Sequence, residues 1–302
     1  MAEHARTPKP VQACPNGGMA TPKHQAPDTA AVLSSREDLG HGYYVLGFAL
    51  SAPVAAQAGQ FAMLRPAAWG AAPLLPRPMS LLQGGSEPQV LVKAVGEGTR
   101  RIVEQPLGAS FTLLGPLGRP WTLPPRGARP IFVAGGVGIA PLIFLARALH
   151  EPKLALEGPS SAATRLAERP IVLYGGRTAD DLPLASSAQA FADLEIATED
   201  GSGGARGRVT ALLEDHLRRP EPGSPKLTLY ACGPHAMLSA VAAIAAEHQV
   251  PCQVSLEARM ACGYGVCLGC AIPRASGGYL YACADGPCVS AYEVDWAACN
   301  AP

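Results

Sequence analysis

Residues Ile131–His150 read IFVAGGVGIAPLIFLARALH. The first six are a short apolar run with the length of one buried strand. Beyond them Leu142, Leu145, Ala146 and Leu149 recur at i, i+3, i+4 and i+7, the spacing of one helix face. Between strand and helix stands AGGVGIAPL, Ala134–Leu142. A glycine loop in this position suits a pyrophosphate. Gly136 and Gly138 permit close backbone approach, and the helix start offers unpaired N–H groups and the positive end of its dipole. Pro141 replaces the usual third glycine and fits a first helical turn, where its missing N–H costs nothing. A plain strand-to-helix turn is the competing reading, and the strand–glycine–helix context favours a nucleotide site.

Towards the C-terminus the same texture repeats. Apolar strands are predicted at Ile171–Gly176, Leu194–Thr198 and Leu227–Gly233, with helices at Arg208–Leu217 and His235–Gln249 and a further strand in CQVSLEARM. Alternating strand and helix predicts a parallel α/β sheet. Ser160–Pro170 reads as a loose connection. Towards the N-terminus the texture differs: YYVLGFAL, GQFAMLRP, QVLVKAV and SFTLLGPLG are short strands broken by Gly and Pro. This predicts a small antiparallel barrel. The expected organisation is a flexible extension over 1–30, a barrel over 31–126, a nucleotide-type α/β domain over 127–254 and a cysteine-rich lobe over 255–302.

Two barrel motifs carry phosphate chemistry. In RPMS, Arg77-Pro78-Met79-Ser80, the arginine offers a planar, permanently charged fork for phosphate oxygens, and Ser80 a hydroxyl able to hydrogen-bond a flavin ring. Alone, the four residues read better as an arginine before a proline turn, and the other motifs tip the balance. VGEGT supplies a second glycine turn, in which Gly96, Gly98 and Thr99 present N–H groups and a hydroxyl to a diphosphate. In the α/β region, Cys232 ends a strand in ACGP, at the edge where open sheets form their ligand crevice. It either faces a nicotinamide or flavin ring or caps the strand as a small buried thiol. No acidic residue closes the strand IVLYGGR, so the usual ribose signal is missing. Arg177 stands there either for a 2′-phosphate or as a surface arginine, which leaves NAD and NADP both open.

MACGYGVCLGC, Met260–Cys270, places Cys262, Cys267 and Cys270 in C-x4-C-x2-C spacing, the plant-type iron–sulfur pattern. Gly263, Gly265 and Gly269 allow the loop to turn N–H groups toward sulfur. Structural zinc sites more often use two short cysteine knuckles, and Cys283 has no near partner except Cys288. Cys283 is taken as the fourth ligand and Cys288 as a bystander. Cys14 and Cys299, near the mobile chain ends expected here, and Cys252, at a strand start, read as plain thiols.

Composition bounds the rest. The 302 residues are 48% hydrophobic and 16% charged, with 24 basic and 24 acidic side chains. Such a balance gives no argument for nucleic acid or an anionic membrane. The first thirty residues lack a signal-peptide core and no run reaches transmembrane length. A soluble cytoplasmic protein is therefore expected, and in that compartment clustered cysteines are metal ligands before they are disulfides.

Taken in order, AGQFAML, RPMS, VGEGT, LGPLG, AGGVGIAPL, YGGR, TEDGSGGARG, ACGP, LEARMACGYGVCLGC and CADGP resemble the ferredoxin-reductase-type flavoproteins. Within them the chain is most similar to the electron-transfer subunits of two-subunit, NAD-linked dihydroorotate dehydrogenases, over about Leu33–Trp296. The resemblance implies that Arg77, Ser80, Gly98 and Thr99 hold FAD, that Gly136 and Gly138 face NAD, and that Cys262, Cys267, Cys270 and Cys283 bind a [2Fe-2S] cluster. It also implies an FMN-containing catalytic partner in a hetero-tetramer. Ala58, where the family usually has proline, the N-terminal extension and Cys288 depart from the pattern.

A nicotinamide exchanges hydride and a [2Fe-2S] cluster single electrons, and a flavin does both, so it belongs between them. No acid–base constellation for a carbon substrate is visible; His216 and His235 read as helix-surface residues. Nor is there room from Met260 to Trp296 for a separate ferredoxin domain. The cluster is thus expected to face another protein. Competing readings are the small subunit of an NADH-dependent ferredoxin:NADP oxidoreductase or of a sulfhydrogenase, and, from another class, a zinc-bearing interaction module.

Overall fold

The computed structural model describes residues 28–299 apart from 71–72, 151–165, 167 and 219–224. The expected extension over 1–30 falls outside these residues except for its last three, which open the first strand. Cys14 and part of the connection at 160–170 also lie outside them.

Six strands close a barrel in the order β1 (Asp28–Asp38), β2 (Tyr43–Leu50), β5 (Gln89–Lys93), β4 (Arg77–Gln83), β3 (Phe61–Pro66) and β6 (Ser110–Leu117). Every ladder is antiparallel, and β1 pairing with β6 makes the closure. Alternation drives it. Along β6, Phe111 and Leu113 point into the barrel while Ser110 and Thr112 face solvent; past a register shift Leu117 joins Phe61 and Met63 on the side packed against the lobe. Inside, the rings of Phe48 and Phe111 meet edge to face at 5.1 Å. A short helix, α1 (Glu97–Val103), leaves β5 through the VGEGT turn.

The second layer is a seven-stranded sheet: β10 (Ala205–Arg206), β9 (Asp193–Thr198), β8 (Ile171–Gly176), β7 (Arg129–Gly135), β11 (Leu227–Cys232), β12 (Cys252–Ser255) and β15 (Cys288–Ser290). All neighbours are parallel except β12 and β15. The predicted parallel sheet therefore carries an antiparallel edge strand, supplied by the cysteine-rich lobe. Its central strands are buried on both faces and read as continuous apolar runs for that reason. Helices α2 (Ile139–His150), α3 (Ala185–Phe191), α4 (Val209–Arg218) and α5 (His235–Glu247) complete the layer. The lobe adds a hairpin of β13 (Ala271–Pro273) and β14 (Tyr279–Tyr281).

Helix α2 is apolar well beyond the predicted stripe: Ile139, Ala140, Ile143 and Phe144 are buried too. It packs on the sheet and also on barrel strand β4, so both sides need apolar cover. Polar contacts fasten the same seam. Tyr43 Oη donates to Asp181 Oδ1 at 2.9 Å, and Lys93 Nζ reaches both that oxygen and the tyrosine hydroxyl at 2.7 Å. Partial burial is the largest single effect and opposes the charges of Lys93 and Asp181, but their mutual hydrogen bond, the bonds to Tyr43 and charge attraction together outweigh it, raising the lysine pKa and lowering that of the aspartate. On the other flank, Tyr230 Oη and Gln253 Nε2 both donate to Thr122 O at 2.9 Å.

Tyr174, fully buried in β8, places its hydroxyl 2.9 Å from both Gly136 O and Pro183 O, which share its one proton. Tyr174→Phe leaves both carbonyls without that donor. The expected cost is about 1–2 kcal/mol, read as a lower urea midpoint with an unchanged m-value.

Candidate functional site

RPMS proves to be the start of strand β4 rather than a turn. Pairing with β3 places Arg77 opposite Leu64 and Ser80 opposite Phe61. The Arg77 guanidinium crosses Gly98 so closely that any Cβ there would overlap it. Its Nη1 donates to Leu75 O at 2.6 Å, and its Cζ lies 5.7 Å from the centre of the Trp69 ring. Thr99 Oγ1 accepts from the N–H groups of Val95 and Gly96 at 3.0 and 3.1 Å, which shapes the turn. The fold thus brings Arg77, Gly96, Gly98 and Thr99 onto one surface, with a fixed cation beside a glycine turn. This chemistry suits a diphosphate.

Beside it a cavity of about 230 Å³ opens between barrel, sheet and lobe. Pro78, Met79 and Ser80 line it from the barrel, Gly138 and Cys232 from the sheet, and Met260 from the lobe. Gly138 is forced: a Cβ would run into the Cys232 carbonyl at the end of β11. Gly136 adopts φ +54°, beside the Tyr43 hydroxyl rather than in the cavity wall.

Cys232 is 2% exposed, and burial drives its thiol pKa far up. It is a neutral wall residue and not a nucleophile. Two further cavity residues, Ser255 and Glu257, were not singled out in the sequence, although Glu257 lies in LEARMACGYGVCLGC. The signal that could have found them is position, at the carboxyl end of the strand in CQVSLEARM. Glu257 is exposed along the cavity wall, yet the protein around it displaces enough water to raise its pKa. Cross-strand register aligns Cys232, Ser255 and Cys288 in one row. Cys288 is accordingly no bystander to the fold. Its buried thiol sits 3.6 Å from Gly59 O and joins lobe to barrel.

The cysteine loop rests on the barrel. Gly263, at φ +83°, approaches Met63 where a Cβ would lie 2.5 Å from Met63 Cγ. The four candidate thiols form two pairs. Cys270 and Cys283 stand 3.2 Å apart and buried. Cys262 accepts from the Cys267 N–H at 3.4 Å, and Cys267 from the Gly269 N–H at 3.5 Å, nearer the surface. Among the described residues no three His, Cys, Asp or Glu side chains converge on one metal point. Two pairs fit a two-iron cluster, each iron taking two thiolates, better than one tetrahedral zinc. Burial opposes ionisation of Cys262, yet the N–H donors of Cys267, Tyr264 and Val266 hold it at about 7. The Cys283 thiol donates to Cys270, which lowers the pKa of Cys270 and raises its own.

Arg177 is 75% exposed and held by Asp181 at 3.2 Å. Two readings change. His235 is not a plain surface residue: its Nε2 is buried without a partner and its ring lies 5.5 Å from that of Trp296. Cys299 is packed against the core, its N–H bonded to Asp295 O at 2.9 Å. His216 does lie on a helix surface, 2.8 Å from Glu195. Gly138→Ala is expected to push the glycine turn off β11 and lower thermal stability by more than an exposed Gly→Ala change; a Tm within a degree of wild type would contradict that close approach.

Residues 257–295 match the iron–sulfur cluster binding domain of dihydroorotate dehydrogenase B, and residues 132–243 an oxidoreductase NAD-binding domain. The chain is 34% identical over 263 residues to a Methanopyrus kandleri protein described as the probable electron transfer subunit of dihydroorotate dehydrogenase B (NAD(+)), covering 86% of this chain and 89% of that one. It is 35% identical to the corresponding subunit of Desulforamulus reducens, covering 74% and 81%. Among solved structures, the NADH-dependent reduced ferredoxin-NADP oxidoreductase superposes with a TM-score of 0.72 at 26% identity, over 93% of this chain and 92% of that chain. The ferredoxin reductase of carbazole 1,9a-dioxygenase, at 19% identity and a TM-score of 0.61 over 74% and 67%, shares the fold. By these identities and coverages, the chain belongs to the family of dihydroorotate dehydrogenase B (NAD(+)) electron transfer subunits.

Proposed function

We propose that this chain carries electrons from dihydroorotate oxidation, performed on an FMN-containing catalytic partner, to NAD in pyrimidine biosynthesis. The barrel over 31–126 is assigned FAD, the sheet domain over 127–254 NAD, and the lobe over 255–302 a [2Fe-2S] cluster. Arg77, Gly96, Gly98 and Thr99 would hold the FAD diphosphate, with Pro78, Met79 and Ser80 against its ring. Gly136, Gly138 and Cys232 would receive the nicotinamide nucleotide, and Cys262, Cys267, Cys270 and Cys283 the two irons. When bound, the flavin supplies the exchange between hydride and single electrons that neither other group can make.

The observation that carries this reading is convergence. Met260, which opens the cysteine loop, lines the same cavity as Ser80, Gly138 and Cys232. The chain's own part is to orient and to exclude water. The cavity wall of Phe61, Leu91 and Leu256 is apolar, and Cys232 stays neutral beside it.

The outward side supports a protein partner. Tyr264, Val266 and Leu268 on the cysteine loop are 43%, 60% and 49% exposed, an unusual display of large apolar side chains around Cys267. A hetero-tetramer with the catalytic subunit would cover them. No helix among the described residues is long and apolar enough to cross a membrane, and we place the complex in the cytoplasm.

Co-expression with an FMN-type dihydroorotate dehydrogenase chain is expected to yield a complex that reduces NAD+ when given dihydroorotate. A chain that instead exchanges electrons among NADH, NADPH and ferredoxin would favour the fold neighbour's activity. In the isolated chain, flavin, iron and sulfide are expected near 1:2:2, whereas a colourless zinc protein would sink the assignment. Cys267→Ser should abolish the iron–sulfur absorbance while leaving most FAD bound; loss of flavin with an intact cluster would reverse the two sites.

A further inference from the structure

An iron–sulfur cluster passes electrons alone, whereas NAD+ takes two electrons and one proton together as a hydride. A flavin placed between them must gain one proton for every hydride it gives up. Phe61, Leu91 and Leu256 make part of the inner cavity apolar, which disfavours a chain of water to the ring, so a side chain has to carry that proton. Two titratable side chains stand in the wall, Cys232 and Glu257. Cys232 is closed off, and its thiol, driven far up by burial, keeps its proton throughout.

Glu257 has a second outlook. An outer cavity of about 440 Å³ is lined by His235 at the head of α5, Arg259, Gly269 of the cysteine loop and Tyr279 of β14. Tyr279 is 63% exposed, so this cavity opens to solvent. Leu256, Glu257 and Ala258 line both cavities, and of the three only the glutamate can hold an exchangeable side-chain proton.

We infer that Glu257 is the proton port of this chain, taking a proton from the outer cavity and delivering it to the inner one while the cluster delivers electrons. The inference rests on the assignment of FAD, NAD and the cluster to this chain. For each NAD+ reduced, two electrons arrive singly from the partner and one proton arrives through Glu257. All three leave as hydride, and the carboxylate left behind is reprotonated from solvent. With NADH as donor the same path runs outward. The titratable or charged groups around the port are Cys232 on the inner side and His235, Arg259, Tyr279 and Cys299 on the outer side. Arg259 offers the carboxylate a cation between turns. Desolvation lets the acid keep its proton to higher pH than a surface glutamate would, which suits a donor.

A carboxylate here that merely anchored the nicotinamide would act on a different step. Hydride transfer carries its own proton, so an anchor affects that step and a port does not. A port matters only when electrons depart and the proton stays behind.

Stopped-flow mixing of FAD- and cluster-loaded protein with NADH reads the hydride step as flavin bleaching. Turnover with cytochrome c, a one-electron acceptor, reads electron departure, in which each NADH yields two reduced cytochromes, NAD+ and one proton. Glu257→Gln is expected to bleach within about twofold of wild type and to turn over about a hundredfold more slowly, without the wild-type rise of turnover with pH. Acetate, a small carboxylate, should restore part of the lost turnover, and Glu257→Asp should keep much of it. Infrared titration of the wild type, with Glu257→Gln subtracted, is expected to show one carboxyl still protonated where ordinary carboxylates have ionised. Equal slowing of both steps in Glu257→Gln and Glu257→Asp, wild-type turnover in Glu257→Gln, or a Glu257 that titrates with the ordinary carboxylates overturns the proposal. Wild-type flavin that NADH does not bleach overturns the NAD assignment itself, and this proposal with it.

Discussion

Helix α2 is packed on two sides at once, and the site depends on that double burial. Ile139, Leu142, Ile143, Phe144, Leu145 and Leu149 are all withdrawn from water, between the sheet and barrel strand β4. Each such side chain contributes about 1.5–3 kcal/mol on burial, so the seam between layers is a core and not a hinge. The glycine turn precedes this helix, and RPMS lies on the strand beneath it. Fixing α2 therefore fixes the glycine turn relative to the RPMS strand.

The lobe is tied into the same frame by close approach. Strand β15 joins the sheet at β12, which sets Cys288 against Ser255 and beneath Gly59 of the barrel. Gly263 rests on Met63 of β3. Side chains at either glycine would wedge lobe from barrel, so those two positions are decided by contact distance as well as by their positive φ. A cluster loop held this way keeps one side against the cavity and the other in solvent.

Much of this was legible because the signals are local. The apolar run Tyr43–Leu50 is strand β2 to the residue, and the glycine loops sit where strand–turn–helix texture placed them. What was not legible is non-local. Strand β15 is three residues long after a proline, and its meaning lies in pairing with β12. The breadth of α2 burial reflects a barrel met only in three dimensions, and the predicted stripe showed fewer than half of its buried residues. Lys93, Tyr43 and Asp181 are separated by 50 and 88 residues along the chain and share no motif. His235 looked like a surface residue because Trp296, which its ring meets, comes from the far end of the lobe.

The two thiol pairs differ in a way that gives the lobe a direction. Cys270 and Cys283 are buried in the core that also contains Phe61 and Leu256, and both of those residues line the cavity. Cys262 and Cys267 lie nearer solvent, among Tyr264, Val266 and Leu268. A polar or charged rim would have served solubility better than these three apolar side chains. Their placement makes sense if the outer pair is covered by protein in the working complex, since excluding water there shields the sulfurs and helps set the cluster potential. The inner pair needs no partner, because the chain's own core already does for it what the second subunit would do for the outer one.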